Sequence, residues 1–136
     1  PRRNVVGWDS SRLAMLTAVL EARCGVPLSG RDIFLNVAGG LKISETAADL
    51  AVAAALISSV TDRPAPQRTV FFGEVALSAE LRQVAQSDAR LKEAAKLGFD
   101  NAVMPRPRKA SAQQSQIKLS QPTTLTDLID IMGGIN

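Results

Sequence analysis

Helical and strand-like patterns alternate along this chain, and that alternation is the strongest constraint on its fold. The first helical pattern covers residues 9–23, where leucines and a valine recur on one stripe, with Asp9 or Ser10 as N-cap. Gly25 follows directly and predicts the end of the helix. Residues 31–39 then form a β-rich run.

The middle of the chain predicts a second helix after a glycine-led loop. This helix is expected over residues 45–61, capped by Ser44 or Thr46 and stopped by Pro64. Residues 68–77 are nearly all apolar, which is typical of one buried strand.

The last third continues the same alternation. Residues 88–99 predict a helix with Gly98 as its C-cap. The later elements are a short strand at 101–105, a mobile basic loop at 106–116, a strand at 116–120 and a helix at 123–133 with Thr123 or Thr124 as N-cap. Residues 1–136 are therefore predicted to form one α/β (α+β) domain with short βα connections.

Size and composition agree with a single globular domain. A chain of 136 residues can bury one good core, and 46% hydrophobic with 21% charged residues is a globular composition. No apolar run approaches the roughly 18 residues of a membrane helix, and the N-terminus lacks a signal-peptide pattern. Cys24 is the single cysteine, which fits a reducing cytoplasm. The net charge of +3 leans mildly towards an anionic partner.

The residue types limit the chemistry that the domain can perform. The chain has no histidine, which excludes a serine–histidine triad and imidazole metal ligands. Gly39, Gly40 and Lys42 follow a strand, yet the spacing of a phosphate-binding loop is missing, so we interpret them as a strand-to-loop turn. The scattered carboxylates Asp49, Glu74 and Asp88 are interpreted as surface or capping acids, and no metal site is predicted.

A serine nucleophile would here need a lysine base, desolvated until its amine is neutral near pH 7. None of the available serines carries a distinctive signature. They are Ser44, Ser58, Ser59, Ser78 and Ser87.

Four blocks resemble a known family. They are "GWDSSRLAMLTAVLEAR", "DIFLNVAGGLKISETAADLAVAAAL", "FFGEVALSAELRQV" and "ARLKEAAKLGFDNAVMP". In this order they are similar to the C-terminal Lon-protease-like domain of bacterial RadA (Sms) proteins, which are ATPases of DNA recombination and repair. The resemblance covers most of residues 1–105 and implies the Lon proteolytic-domain fold, related to the second domain of ribosomal protein S5.

The resemblance also implies a larger setting. In the full-length family this domain follows a zinc-binding segment and an ATPase, and the assembly is a cytoplasmic hexameric ring that acts on branched DNA. Those upstream motifs do not occur here, so we expect the C-terminal piece of a longer chain, and the resemblance implies that the Lon-like part begins before Pro1. No cofactor is expected in this domain, because ATP and zinc belong to the upstream segments.

Laid on the family pattern, the catalytic positions are changed. Active Lon proteases carry "PKDGPSAG" where this chain has "KISETAAD", so that Thr46 falls on the proline and Ala47 on the catalytic serine. A run that starts at Gly73 and Glu74 places Asp88 on the catalytic lysine. A methyl group cannot attack a carbonyl, and an aspartate supplies no amine base.

The nearest substitutes for the missing dyad are weak. Ser44, Thr46 and Ser87 are the closest hydroxyls, Arg90 stays charged, and Lys92 lies about one helical turn beyond Asp88. The resemblance therefore implies a non-catalytic domain, and an active Ser-Lys type peptidase of the Lon family is the alternative.

Two roles remain for such a domain. One is a scaffold that closes the hexamer, since Lon-type domains assemble in rings. The other is contact with the DNA backbone, although each basic residue taken singly is more often a solvated side chain. The candidate cations are Arg2, Arg3, Arg106, Arg108 and Lys109, with Arg82, Arg90, Lys92 and Lys96 forming a patch on the third helix.

Overall fold

The computed structural model describes residues 1–107 and 116–135. In chain order the elements are β1 (Arg3–Val6), α1 (Ser10–Cys24), β2 (Ile33–Asn36), α2 (Asp49–Thr61), β3 (Thr69–Phe71), β4 (Glu74–Val75), β5 (Leu81–Arg82), α3 (Ser87–Lys96), β6 (Asn101–Val103), β7 (Lys118–Ser120) and α4 (Leu125–Ile131).

The strands form three small sheets. β1 and β2 are parallel and are joined through α1, while β3, β6 and β7 form a parallel sheet with β6 in the middle. β4 and β5 make an antiparallel hairpin. The predicted α/β class is confirmed, and β1 is a strand that the sequence analysis did not predict.

Helix α1 matches its prediction closely. Asp9 caps it by accepting a hydrogen bond from the Ser11 backbone N–H at 2.8 Å, and Gly25 ends it in the left-handed region at φ 68°. The predicted stripe is buried, and its members are Leu13, Leu16, Val19 and Leu20. This face packs against α2 and α4 in the main core.

The predicted start of α2 is wrong. Residues Thr46–Ala48 form a separate 3₁₀ turn, and the α-helix begins only at Asp49, so neither Ser44 nor Thr46 caps it. The turn is tied to a distant segment, because the Gly73 N–H donates to the Ala47 carbonyl at 2.9 Å. Asp62, at φ 54°, ends the helix before Pro64 is reached.

The single strand predicted over residues 68–77 is also wrong, since the chain breaks at Gly73 into β3 and β4. Gly73 has φ 153°, and a Cβ there would lie 2.7 Å from Cδ of Pro105. The backbone can therefore turn against Pro105 only because Gly73 has no side chain.

The remaining elements build a second core and close the fold. Leu91 and Ala94 of α3 pack with Ala102 and Met104. α3 ends at Lys96 and its C-cap is Leu97, so Gly98, at φ 92° and predicted as the C-cap, lies one residue beyond the observed cap. In the predicted basic loop, residues 108–115 lie outside the described part of the chain.

Candidate functional site

The two positions that the resemblance assigns to the protease dyad lie on neighbouring elements. Ala47 is buried in the 3₁₀ turn before α2, with 5% of its surface exposed. Asp88 is exposed in the first turn of α3. The two elements are joined by an ion pair in which Nη2 of Arg90 lies 2.7 Å from Oε2 of Glu45. The loop before α2 and the start of α3 therefore form one site.

Arg90 braces this site. Its Nε donates to the Ala85 carbonyl at 3.1 Å, and its guanidinium carbon lies 5.9 Å from the centroid of the Phe72 ring. Together with the Glu45 ion pair, these contacts hold the guanidinium between the loop and α3. In this arrangement Arg90 positions two elements, while its predicted role in DNA contact stays a prediction.

Three hydroxyls lie near the site. Ser44 is exposed and Thr46 is half-buried, whereas Ser87 is buried and its Oγ donates to the Val84 carbonyl at 3.3 Å. Within the described ranges, Ser87 thus bonds to a backbone carbonyl and not to a lysine amine, the base that a serine nucleophile would need here.

A groove runs beside Asp88. Its volume is about 920 Å³, and residues Glu74, Arg82–Asp88 and Pro107 line it. Glu74 and Arg82 are register partners across the β4–β5 hairpin. The groove thus carries both signs of charge, and backbone from β5 to the start of α3 forms much of its wall.

The candidate cations do not lie on one secondary-structure element. Arg82 is exposed on β5 rather than on the third helix, where it was predicted, and it lines the groove. Lys92 and Lys96 are exposed on α3, four residues apart on one side of the helix. Arg106 is exposed next to the groove residue Pro107.

The other cations lie elsewhere or are not described. Arg2 and Arg3 belong to the N-terminal segment, where the Arg2 backbone N–H donates to Oδ1 of Asp32 at 2.7 Å and the Arg3 guanidinium donates to the Arg31 carbonyl. Arg108 and Lys109 lie outside the described residues.

One charged residue was interpreted wrongly from the sequence. Asp49 is not a surface acid, since it is fully buried and accepts hydrogen bonds from Arg12 Nε at 2.8 Å, from Arg12 Nη2 and from the Val75 N–H at 3.0 Å. The hydrogen bond to Asp49 is the main cause that raises the pKa of Arg12. The signal available in the sequence was an aspartate at the start of an apolar helix, with an arginine in the preceding helix.

In the part of the chain that the structure describes, no helix is long and apolar enough to span a bilayer. No group of three or more Cys, Asp or Glu side chains in residues 1–107 and 116–135 is placed to hold a metal ion.

The fold and site define an α/β domain with an alanine and an aspartate at the two positions that the resemblance assigns to a protease dyad. Comparison with known families finds that the family described as subunit ChlI of Mg-chelatase matches residues 10–108. The chain belongs to this family.

Proteins named DNA repair protein RadA are also similar to this chain. The protein from Rickettsia bellii is 55% identical over 103 residues, covering 76% of this chain and 23% of the relative. The protein from Brucella abortus is 50% identical, and the match covers 95% of this chain and 28% of the relative. The protein from Haemophilus influenzae is 43% identical, and the match covers 99% of this chain and 30% of the relative. The predicted resemblance to RadA proteins is confirmed, and the chain spans less than a third of the length of these relatives.

Proposed function

We propose that this chain is a catalytically inactive Lon-protease-like domain of a RadA-type DNA repair protein, in which it serves ring assembly and contributes contacts to the DNA backbone. The similarity to RadA proteins over most of the chain supports the setting. In that setting the ATPase chemistry belongs to parts of the longer protein outside this chain.

The observation that carries the inactive assignment is the state of the dyad positions. Ala47 presents a buried methyl group where the family pattern has its serine. On α3, Asp88 stands where the family pattern has its lysine, and Arg90, two residues further along the helix, is held by Glu45 and Phe72. Because a guanidinium does not give up its proton near neutral pH, Arg90 cannot act as the general base.

The RadA setting, in which the resemblance implies a ring, supports the assembly role. Single exposed apolar side chains are normal on monomers and are also available to an interface. The described part of this chain exposes Val6, Phe34, Leu41, Leu77, Leu97 and Leu119.

The groove supports the contribution to DNA binding. Arg82 lines it, and Arg106, the first residue of the predicted basic loop, is exposed beside the lining residue Pro107. Exposed cations beside a groove suit phosphate contacts, which carry affinity without base specificity.

The inactive assignment is tested with a serine-reactive fluorophosphonate probe. The parent chain, Ser44→Ala and Ser87→Ala are each treated with the probe, and an active Lon-type protease serves as the positive control. We expect no labelling of the parent chain. Labelling that Ser44→Ala or Ser87→Ala abolishes would establish the peptidase alternative.

The assembly role is tested by light scattering over a concentration series of the parent chain at low and moderate salt. We expect the mean mass to rise with concentration. A mass that stays at the 14.4 kDa of one chain at every concentration would contradict a role in assembly.

A further inference from the structure

A cavity of about 330 Å³ lies at the carboxyl ends of β1 and β2. Residues 7–9, which follow β1, line one side of it, and residues 42–44, from the loop after β2, line the other. The two sides are tied together, because the Ile43 N–H donates to the Gly7 carbonyl at 2.8 Å. We call this cavity the strand-end pocket.

The backbone around the strand-end pocket favours an anion. β1, α1 and β2 form a parallel β–α–β unit, and α/β folds generally bind their ligands outside the carboxyl ends of such strands. Helix α1 has 15 residues and begins at Ser10, directly after the lining residue Asp9. The N-terminus of a helix carries a positive partial charge. The backbone therefore indicates the sign of a ligand's charge, and the side chains indicate its chemistry.

Three side chains at the strand-end pocket are hydrogen-bond donors without an acceptor. Trp8 is only 9% exposed, and its indole N–H is buried with no partner among the described residues. Lys42 and Ser44 are both exposed, and within the described ranges neither side chain forms an ion pair or hydrogen bond. A buried donor without an acceptor is costly, so native structures usually supply one.

The carboxylate among the lining residues is already in use. Asp9 accepts a hydrogen bond from the Ser11 N–H at 2.8 Å and so caps α1. A cation in the pocket would compete with this cap and would be repelled by Lys42. The free groups are therefore an indole N–H, an ammonium and a hydroxyl, which together suit a ligand with several negatively charged oxygens.

We propose that the strand-end pocket binds a phosphate group, with Trp8 Nε1, Lys42 Nζ and Ser44 Oγ as donors. A phosphate group has three strong acceptor oxygens, one for each donor. Because the indole N–H is shielded from solvent, binding requires a local opening of the pocket. The phosphate belongs either to a free phosphate compound or to a DNA backbone. The inference goes beyond the function proposed above, since a free phosphate satisfies the same donors.

The single tryptophan of the chain makes the test specific, because one indole N–H resonance reports on the pocket. Sodium phosphate is titrated into the ¹⁵N-labelled chain near neutral pH, and sodium chloride keeps the ionic strength constant. We expect a saturable downfield shift of the indole proton, since this proton enters a hydrogen bond with an anionic oxygen. The concentration dependence of the shift gives the dissociation constant.

Three variants test the assignment of the donors and the sign of the ligand's charge. Lys42→Gln should weaken phosphate binding at least about tenfold, because a charge-assisted hydrogen bond is lost. Asp9→Asn keeps a capping side chain and removes a negative charge, so it should bind phosphate at least as tightly as the parent. Lys118→Gln, at an exposed lysine of β7 outside the pocket lining, is the matched control and should behave like the parent.

A duplex oligonucleotide distinguishes the two sources of phosphate. A saturable indole shift with the duplex would identify the DNA backbone as a ligand of the pocket, whereas a shift with inorganic phosphate alone would assign the pocket to a free phosphate compound. An indole resonance that responds to neither would overturn the proposal, and so would equal phosphate affinity in Lys42→Gln and the parent. If the chain still bound the duplex by fluorescence anisotropy, the proposed DNA contacts would stand without this pocket.

Discussion

The Arg12–Asp49 pair shows how a single buried carboxylate ties three elements together. Asp49, at the start of α2, is fully buried, and it binds the Arg12 side chain of α1 and the Val75 backbone N–H of β4. Arg12 keeps 25% of its side chain exposed and so retains contact with solvent. Asp49, which has no solvent contact, therefore depends on the ion pair for its stability more than Arg12 does.

Replacing Arg12 should therefore be costly. Arg12→Ala leaves the Asp49 carboxylate buried with only the Val75 N–H as partner, and breaking a buried pair in this way costs about 3–5 kcal/mol of unfolding free energy. Urea unfolding of the parent and the variant measures the difference.

An exposed ion pair provides the control for Arg12→Ala. Arg68 and Asp100 lie 2.8 Å apart, with 65% and 58% of their side chains exposed, and Arg68→Ala should cost less than about 1 kcal/mol. Equal losses in the two variants would show that burial of Asp49 does not govern the energy of its pair.

At the scale of elements, the break between β3 and β4 depends on Gly73. The Gly73 carbonyl also accepts from the Leu50 N–H at 3.1 Å, so the break connects the hairpin to the first turn of α2. Gly73→Ala places a Cβ 2.7 Å from Pro105 and should destabilise the fold by about 1–3 kcal/mol, measured by urea unfolding.

Gly40→Ala is the matched control for this steric prediction. Gly40 has φ 70°, but a Cβ there meets nothing within 4 Å, so the variant tests backbone strain without a clash. If Gly40→Ala were as destabilising as Gly73→Ala, contact with Pro105 would not be the reason for the glycine.

The N-terminus of α4 should make stability depend on pH. Hydrogen bonds from the backbone and hydroxyl of Thr123, and from the Thr124 backbone, lower the pKa of Asp127 below its usual value. Because the pKa is lowered by folding, the ionised carboxylate stabilises the folded state at any pH above the ordinary pKa of about 3.9. This stabilisation is lost as the pH falls through the lower pKa of the folded state.

Thermal unfolding of Asp127→Asn at two pH values checks this sign. The melting temperature should be lower than that of the parent at pH 7, and the difference should shrink as the pH falls through the lowered pKa of Asp127 and its carboxylate becomes neutral. Asp130→Asn, at an exposed acid of the same helix, should not show that pattern. A gap for Asp127→Asn that is equally large at low pH would exclude the ionised carboxylate as its cause.

At the scale of the whole molecule, the groove and its cations should set the salt dependence of DNA binding. Arg82→Ala and Arg106→Ala remove cations at the groove, and each lost phosphate contact should reduce the slope of log K against log salt by about 0.9. Fluorescence anisotropy with a labelled branched duplex, measured at several salt concentrations, gives the slopes.

Arg68→Ala serves as the control in this experiment, because Arg68 is paired with Asp100 and is not among the residues that line the groove. Its slope should equal that of the parent. Unchanged slopes for Arg82→Ala and Arg106→Ala would remove the groove from the proposed DNA surface.

The sequence by itself determined the features that depend on neighbours within a turn or two of the chain. Helix α1, with its Asp9 cap and Gly25 stop, and helix α4, with its Thr124 cap, follow from local hydrogen bonds and apolar periodicity. The prediction that Ala47 and Asp88 stand at the dyad positions likewise comes from the sequence, because it needs only the resemblance to the family pattern.

Only the tertiary structure decided how distant segments constrain one another. Asp49 is separated by 37 residues from Arg12 and by 26 from Val75, so its burial has no local signature. The break at Gly73 and the brace between Glu45 and Arg90 depend in the same way on contacts across the chain. Periodicity records which side of an element is apolar, whereas packing selects which residues meet across it.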